Sequence, residues 1–221
     1  MSNLFVVFDL DGTLLNTNSQ IEMALNQTFV RNGLPTPSSE NIKKTIGLPL
    51  QVMLQEFSVP DSMNSFIVSE FRKLLSKIIE LGTPFYAGVP EVLNYLTKNG
   101  YLIGIATNKP TDLAVKTLRF SELNHFSFHV QGTDGFAPKP NPVIFEKLKQ
   151  KVEASEVVIM IGDRCEDIET GINFGIPTIG VSHTSHSHVR LKEAGADLVF
   201  QNFEDFFKSI GSVEELINRG R

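Results

Sequence analysis

Asp9 and Asp11 stand at the end of a short apolar run near the start of the chain. The run, residues 4–8, consists of Leu, Phe and Val and is followed by Gly12, a pattern typical of a β-strand buried on both faces. Side chains two positions apart project to the same side of an extended segment, so both carboxylates can face one site. Because two anions this close repel each other, the pair predicts a site that also holds a cation or a shared proton.

Other polar side chains follow the ends of later predicted strands. Thr107 and Asn108 come after one apolar run, Asp163 comes after another, and Asp167 lies four residues further on. Lys139 lies on a loop between two prolines. Because ligands in open α/β sheets bind outside the carboxyl ends of the strands, we expect these groups to share one site with the N-terminal pair of carboxylates.

The acidic residues of this group predict a magnesium site. Mg²⁺ is a hard cation that prefers carboxylate, carbonyl and water ligands, and Asp9, Asp163 and Asp167 supply carboxylates. The alternative for Asp163 and Asp167 is an ordinary helix N-terminus, where the helix dipole favours acidic residues. That alternative explains Glu166 equally well, so Glu166 has no predicted role.

The remaining groups predict a binding site for a phosphate ester. Thr107, Asn108 and the N–H groups around Gly12 can donate to phosphate oxygens, since a glycine lets the backbone turn and approach an anion. Lys139 can offset the remaining negative charge. These residue types leave open which aspartate attacks phosphorus.

Strands and helices alternate from residue 85 to the end of the chain. Buried strands are predicted from apolar runs at residues 102–106, 128–131, 157–161, 178–181 and 198–200. Segments with helical periodicity or capping signals separate these runs. Together with the first strand, this alternation predicts an α/β fold, a doubly wound parallel sheet of the Rossmann-like type.

Residues 16–82, the helical block, carry helical patterns and no predicted strand. The next strand begins only at Leu102, whereas a normal crossover between parallel strands needs far fewer residues. We therefore interpret the helical block as a small domain inserted after the first strand. The catalytic core would then consist of residues 1–15 and 83–221.

The composition is that of a globular protein without a nucleic-acid or membrane partner. The chain has 221 residues, 41% of them hydrophobic, and a net charge of −5 with no basic stripe. No apolar run approaches the roughly 20 residues that span a bilayer, and no signal peptide is predicted. The single cysteine, Cys165, excludes an internal disulfide and suits a reducing compartment, so we expect a cytoplasmic protein.

Taken together, the polar segments resemble the four motifs of the haloacid dehalogenase-like phosphatases. Residues 9–13 resemble the first motif, Thr107 and Asn108 the second, Lys139 the third and residues 162–167 the fourth, in the family's order. Late in the chain, Gly195, Ala196 and Asp197 further resemble the phosphoglycolate phosphatase-like branch. The resemblance implies that the helical block is a cap domain.

The resemblance also implies a role for each motif residue. Asp9 would be the nucleophile that forms an aspartyl-phosphate, and Asp11 would protonate the leaving alcohol and then activate water. Mg²⁺ would be held by Asp9, the main-chain carbonyl of Asp11 and Asp163, with Asp167 acting through water. The phosphate would be bound by residues of the second and third motifs, Thr107, Asn108 and Lys139. Lys139 would also orient the nucleophile.

We therefore predict a Mg²⁺-dependent phosphatase that hydrolyses a small phosphomonoester. Phosphoglycolate is the first candidate substrate, followed by sugar phosphates, nucleoside monophosphates and pyrophosphate. The alternatives are a phosphomutase of the β-phosphoglucomutase type and a non-catalytic protein that binds phosphate or a partner on the same fold. A dehalogenase or phosphonatase fits less well, because Asp11 is typically replaced in both. We expect a monomer or homodimer whose partner is a small phosphorylated metabolite.

Two stretches have less definite interpretations. Asn16 and Thr17 stand where the branch often has Asp-Ser, and we expect this change to affect cap motion or substrate choice. His183, His186 and His188 could bind a metal, but they lack acidic or cysteine partners at fixed spacing. A solvated loop at the rim of the pocket is the favoured interpretation of these histidines.

Overall fold

The structure, a computed structural model, describes residues 3–153, 155–183 and 185–219. The strands of its sheet are β1 (Asn3–Phe8), β2 (Leu102–Thr107), β3 (Phe128–Gly132), β4 (Ser155–Gly162), β5 (Thr178–Val181) and β6 (Leu198–Phe200). They pair in the order β3-β2-β1-β4-β5-β6, and every pairing is parallel. The predicted doubly wound parallel sheet is therefore confirmed.

Helices lie between successive strands and in the helical block. In chain order they are α1 (Asn18–Arg31), α2 (Ser39–Thr45), α3 (Leu50–Glu56), α4 (Asp61–Ile79), α5 (Val89–Lys98), α6 (Thr111–Arg119), α7 (Val143–Lys149), α8 (Cys165–Phe174), α9 (Ser185–Glu193), α10 (Phe203–Lys208) and α11 (Ile210–Arg219). Within the described part of the chain, none of these helices combines the length and hydropathy needed to cross a membrane.

The central strand β1 is buried on both faces, as its apolar sequence predicts. Val6 and Phe8 belong to one hydrophobic cluster, which includes residues of α5. Phe5 and Val7 belong to a second cluster, which includes residues of α7. All four side chains are fully buried. Because alternate residues of a strand face opposite sides, the sheet has a hydrophobic layer on each face.

The order of the strands places a crevice at the end of β1. From β1 the chain goes to β2 and β3 on one side of the sheet, and then crosses back to β4 on the other side. The connections after β1 and β4 therefore diverge to opposite sides of the sheet. Such a switch point is where open α/β sheets bind ligands, at the carboxyl ends of the strands.

The helical block has a hydrophobic cluster of its own, built from α1 to α4 with one contribution from α6. Representative fully buried members are Leu25, Phe29, Ile42, Leu54 and Ile67. The segments that lead into and out of the block lie side by side. Leu15 forms an antiparallel bridge with Phe85, and the Asn16 N–H donates to the Pro84 carbonyl at 2.9 Å.

The longest helix of the helical block, α4, begins without a side-chain cap, since its N-cap position is Pro60. Proline preceding the first turn presets the backbone for helix entry without a capping hydrogen bond. The loop predicted for the histidines is corrected at His188, which lies inside α9 because this helix begins at Ser185.

Candidate active site

The loop after β1 lies against the ends of its two neighbouring strands. The Asp9 N–H donates to the Ile161 carbonyl of β4 at 2.9 Å. Thr107 is the last residue of β2, and Asp163 directly follows β4. The carboxyl ends of these three parallel strands thus bring polar residues from distant parts of the sequence to one edge of the sheet.

A group of three carboxylates lies at this edge. The group consists of Asp9, Asp163 and Asp167. Each can offer one carboxylate oxygen, and these three oxygens lie within 4.8 Å of one another. Lys139 Nζ lies 2.7 Å from Asp9 Oδ1 and 2.5 Å from Asp167 Oδ1, and it donates to the Ala106 carbonyl at 2.9 Å. Lys139 is only 4% exposed. One buried ammonium therefore stands against three carboxylates.

The excess of negative charge is reflected in the pKa values. Burial raises the pKa of Asp163 to about 8, and the nearby Asp9 and Asp167 contribute further. Burial also raises the pKa of Asp9 to about 6, although Lys139 acts in the opposite direction. Burial alone would lower the pKa of Lys139, but Asp167 and Asp9 raise it above its ordinary value. Near neutral pH, Asp163 would hold a proton unless another positive charge compensated it.

Two glycines allow these carboxylates to approach the backbone closely. A Cβ at Gly12 would lie 2.7 Å from Asp163 Oδ2, and a Cβ at Gly162 would overlap the carboxylate of Asp167. Gly12 also has a φ of +87°, which side chains other than glycine rarely adopt. The hydroxyl of Thr13 donates to Asp163 Oδ1 at 2.6 Å. The positions of both acids are therefore fixed by the local backbone.

This donor set fits a hard divalent cation. All three groups are carboxylates, the ligand class that Mg²⁺ prefers, and soft sulfur or imidazole ligands do not take part in the group found among the described residues. A cation in contact with Asp163 would replace the proton that burial otherwise favours there. The residues present thus match the metal predicted from the sequence.

Two of the expected phosphate donors have competing hydrogen bonds. The Gly12 N–H donates to the Leu15 carbonyl at 3.0 Å, so it would have to leave this bond to reach a phosphate. The positive φ of Gly12 closes the loop onto Leu15 and leaves room for Asp163, rather than presenting the amide to a ligand. Asn108 Nδ2 donates to the Gly47 carbonyl at 3.1 Å, which lies in the helical block.

The turn at residues 46–48 of the helical block is held by two side chains from loops at the edge of the sheet. Besides the bond from Asn108, Arg164 Nη1 donates to the Ile46 carbonyl at 2.7 Å. Gly47 has a φ of +94°, and a Cβ there would overlap Arg164 Cδ. Asn108 and Arg164 come from the loops after β2 and β4, so the turn bridges the two sides of the crevice.

Lys109 is a site residue that the sequence analysis missed. Its Nζ lies 2.5 Å from Asp11 Oδ1, and the two side chains are only 5% and 7% exposed. A lysine that follows Asn and precedes Pro is typical of a solvated turn, and no local pattern indicates its burial. The signal that could have found it is its position directly after the Thr107–Asn108 pair. Asp11, in turn, has a different lysine partner from Asp9.

Two cavities adjoin the carboxylates. The first, of about 60 Å³, has a polar floor formed by the strand loops and a mostly apolar roof from the helical block, to which Arg72 also contributes. The floor includes Asp11, Thr107 and Lys109, and the roof includes Met53 and Phe71. The second, of about 280 Å³, lies on the side of Asp163 and Arg164. The first cavity is thus the one that touches Asp11.

The histidine prediction holds only in part. His183 lines the second cavity and stacks on Tyr86 with a centroid distance of 3.7 Å, so it is half-buried rather than solvated. Burial lowers the pKa of His183 and raises that of Tyr86 to about 12. His188 Nδ1 lies 3.4 Å from Ser182 Oγ. The side chain of His186 lies outside the described residues.

Comparison with known proteins connects this geometry to a family. A model of the haloacid dehalogenase-like hydrolases matches residues 6–181 of the chain. The matched stretch begins in β1 and ends in β5, so it contains every polar residue of the strand-end site described above.

Individual relatives extend over nearly the whole chain. The phosphoglycolate phosphatase of Yersinia pseudotuberculosis is 27% identical over 214 residues, which are 93% of this chain and 92% of the relative. The pyrophosphatase PpaX of Halalkalibacterium halodurans is 28% identical over 208 residues, 93% of this chain and 96% of the relative. A haloacid dehalogenase-like family hydrolase from Streptococcus pneumoniae has the same fold, with a TM-score of 0.79 at 22% identity over 95% of this chain and 98% of that one.

Proposed function

The chain belongs to the haloacid dehalogenase-like hydrolases and is a phosphoric monoester hydrolase, and we propose that it cleaves small phosphomonoesters with Mg²⁺ through an aspartyl-phosphate on Asp9. The observation that carries this proposal is the group of three carboxylates at the strand ends, two of which, Asp9 and Asp167, form ion pairs with the buried Lys139. A nucleophilic carboxylate has to be ionised and fixed in direction, and a lysine at 2.7 Å from Asp9 supports both requirements.

In the first step, a carboxylate oxygen of Asp9 attacks phosphorus, and the bond from phosphorus to the ester oxygen breaks. The leaving oxygen takes a proton from the carboxyl group of Asp11 and departs as the alcohol. Asp9 and Asp11 leave the same loop after β1, and both are almost fully buried, so nucleophile and acid are close together and protected from bulk water.

In the second step, Asp11, now a carboxylate, takes a proton from a water molecule. The oxygen of that water attacks phosphorus, and the bond between phosphorus and Asp9 breaks. Inorganic phosphate leaves, Asp9 returns as a carboxylate and Asp11 is again protonated. The sum of the two steps is ester plus water giving alcohol plus phosphate.

We propose that Thr107, Asn108 and Lys139 bind the phosphoryl oxygens during both steps. Thr107 and Lys139 are both buried, and Lys139 Nζ donates to Asp9 Oδ1 at 2.7 Å. Asn108 would exchange its bond to Gly47 for one to phosphate, or share the two. Its Oδ1 accepts the Lys139 N–H at 2.9 Å, which fixes the orientation of the amide.

Mg²⁺ would be held by Asp9, Asp163 and the main-chain carbonyl of Asp11, with Asp167 acting through water. When bound, the cation supplies positive charge to the phosphoryl oxygens and lets a dianion approach the carboxylates. Asp167 receives bonds from Lys139 and from the Arg164 N–H at 3.0 Å, so its orientation does not depend on the cation.

We further propose that residues 16–82 are a cap over a core made of residues 1–15 and 83–221. The small first cavity lies between this helical block and the strand loops, so a leaving group there would contact both. Its volume of about 60 Å³ favours small substrates. Relatives are named for phosphoglycolate and for pyrophosphate, and phosphoglycolate is our first candidate, followed by sugar phosphates and nucleoside monophosphates.

The test measures release of inorganic phosphate from p-nitrophenyl phosphate and from a panel of small esters, with Mg²⁺ and with EDTA. We expect Mg²⁺-dependent turnover by the wild type and none by Asp9→Asn. Asp61→Asn, which changes an exposed aspartate of the helical block, is the matched control and should keep full activity. Folded protein without turnover on any ester would contradict the proposal, as would Asp9→Asn with wild-type activity.

A further inference from the structure

Lys109 is a buried lysine whose charged partner is the carboxylate of Asp11. The residue is 9% exposed, and its Nζ lies 2.5 Å from Asp11 Oδ1 and 3.5 Å from Thr117 Oγ1. Lysine is rarely buried unless it is paired, because removing its charge from water is costly. The contact is thus a specific ion pair inside the site.

The backbone around Lys109 is fixed by two neighbouring strands. Its N–H donates to Thr107 Oγ1 at 3.3 Å, and its carbonyl accepts the Thr133 N–H at 3.3 Å. The carbonyl also lies so close to Gly132, at the end of β3, that a Cβ there would overlap it. The direction of the side chain toward Asp11 is therefore set by the sheet and not by a free loop.

Each carboxylate of the pair after β1 has its own lysine. Lys139 contacts Asp9 and Asp167, whereas Lys109 contacts Asp11, and the two ammonium groups reach the pair from different loops. Among the hydrogen bonds of the described residues, only the one from Lys109 engages the Asp11 carboxylate, and it uses Oδ1. The other oxygen, Oδ2, is left to exchange a proton with a ligand.

Lys109 and Asp11 both line the small first cavity, where the leaving group of a bound ester would lie. The opposite wall belongs to the helical block and is mostly apolar, with Leu48, Met53 and Phe71, although Arg72 also lines it. In such surroundings a charge that develops on Asp11 is poorly solvated, so a fixed ammonium beside it has a large effect.

We propose that Lys109 is a positioning residue that holds Asp11 by Oδ1, so that Oδ2 delivers the proton to the leaving oxygen, and that it compensates the carboxylate charge formed in this transfer. The proposal rests on the proposed phosphatase function. The proton moves from Asp11 Oδ2 to the ester oxygen while the bond from phosphorus to that oxygen breaks, and Lys109 keeps its own protons throughout. In the second step Asp11 recovers a proton from water.

This role predicts a dependence on the leaving group that a merely structural role would not produce. p-Nitrophenolate is a stable anion and leaves with little help from an acid, whereas an alkoxide needs a proton. Loss of Lys109 should therefore impair hydrolysis of alkyl phosphates much more than hydrolysis of p-nitrophenyl phosphate. General acid catalysis contributes about 10²- to 10⁴-fold to the rate, and this range is the upper limit for the loss of alkyl phosphate hydrolysis.

The experiment compares kcat and KM of the wild type, Lys109→Met, Lys109→Gln and Lys109→Arg with Mg²⁺ on p-nitrophenyl phosphate, phenyl phosphate and a short alkyl phosphate. We expect Lys109→Met to lower kcat for the alkyl ester at least about tenfold more than for the p-nitrophenyl ester, with a smaller change in KM. Lys109→Arg keeps the charge and should therefore retain part of the activity on the alkyl ester that Lys109→Met loses. Lys98→Met, at an exposed lysine near the end of α5, should match the wild type on every ester.

Thermal unfolding checks that each variant is folded, and Lys109→Gln, which keeps a polar donor without the charge, replaces Lys109→Met if that variant does not fold. An equal loss on all three esters, or no loss, would overturn the inference while leaving the phosphatase function intact. A wild type without Asp9-dependent turnover would instead refute the proposed function, and the inference with it.

Discussion

Replacing Lys139 by methionine should strongly destabilise the metal-free protein. The substitution keeps much of the apolar stem but removes the ammonium that lies 2.7 Å from Asp9 and 2.5 Å from Asp167. Removing one partner of a buried ion pair costs about 3–5 kcal/mol, because the other charge remains buried without compensation. For a protein of this size, about 2–4 °C of Tm correspond to each kcal/mol, so we expect Tm to fall by roughly 6–20 °C.

The loss of stability caused by Lys139→Met should increase as the pH rises. The pKa of Asp9 is raised by burial to about 6 even with Lys139 present, and without Lys139 it would rise further. An acid whose pKa is raised on folding takes up a proton more readily in the folded state, so stability falls as pH rises from its ordinary pKa of 3.8 to the raised value. One such proton changes the stability by about 1.4 kcal/mol per pH unit. The fall in Tm that Lys139→Met causes should therefore be larger at pH 8 than at pH 5.5.

The assay is thermal unfolding followed by circular dichroism in EDTA at pH 5.5 and pH 8, repeated with saturating Mg²⁺. Mg²⁺ should narrow the difference between variant and wild type, since a cation among the carboxylates replaces part of the missing charge. Lys147→Met, at an exposed lysine of α7, is the matched control. If Lys139→Met were as stable as this control at pH 8 in EDTA, the reasoning that Lys139 compensates the buried carboxylates would be refuted.

Three further changes test the surroundings of the site. Gly12→Ala should weaken Mg²⁺ binding in a thermal-shift titration, because its Cβ would lie 2.7 Å from Asp163 Oδ2. Gly135→Ala is the control for the cost of positive φ alone, about 1–2 kcal/mol, since its φ is +78° and no atom lies within 4 Å of the added Cβ. Equal Mg²⁺ affinity in both variants would contradict the steric argument. In EDTA, the Tm of the wild type should fall as pH rises from 4 to 8, because burial raises the pKa of Asp163 from 3.8 to about 8 and the folded state binds that proton more tightly. Asp163→Asn should weaken this dependence of Tm on pH, and an unchanged dependence would contradict the assignment of the raised pKa to Asp163. Arg164→Met should speed hydrogen exchange at residues 44–48 and lower kcat/KM by roughly 10- to 150-fold, as expected for a lost charged hydrogen bond worth about 1.5–3 kcal/mol to the Ile46 carbonyl. Exchange at the wild-type rate would show that Arg164 does not hold the turn.

Residues at the ends of strands could be predicted from the sequence because their signals are local. Asp9 and Asp163 each follow directly on an apolar run, and parallel strands bring such ends together whatever lies between them in the chain. Thr107 was predicted for the same reason. The sheet and the single edge that carries the polar residues therefore follow from patterns of a few residues each.

Contacts that depend on packing between distant elements could not be predicted in this way. Lys109 is buried because Thr117 of α6 and the end of β3 close around it, whereas its neighbours in sequence, Asn108 and Pro110, are typical of a solvated turn. The bond from Asn108 to Gly47 joins the sheet to the helical block, so it depends on how two separately packed units meet. The stacking of His183 on Tyr86 likewise joins segments that lie far apart in the chain.

The bridge between Leu15 and Phe85 has a consequence for how this protein can diverge. Since the chain leaves the sheet and returns to it at adjacent points, the strands can pair without regard to what is inserted between them. The entropy of closing a loop grows slowly with its length, by about 0.6 kcal/mol for each doubling, so the size of the insertion matters little to the sheet. Substitutions, insertions or even replacement of the segment between these two residues can then leave the carboxylates and lysines at the strand ends undisturbed. Under the cap function proposed above, such changes would alter which alcohol is recognised.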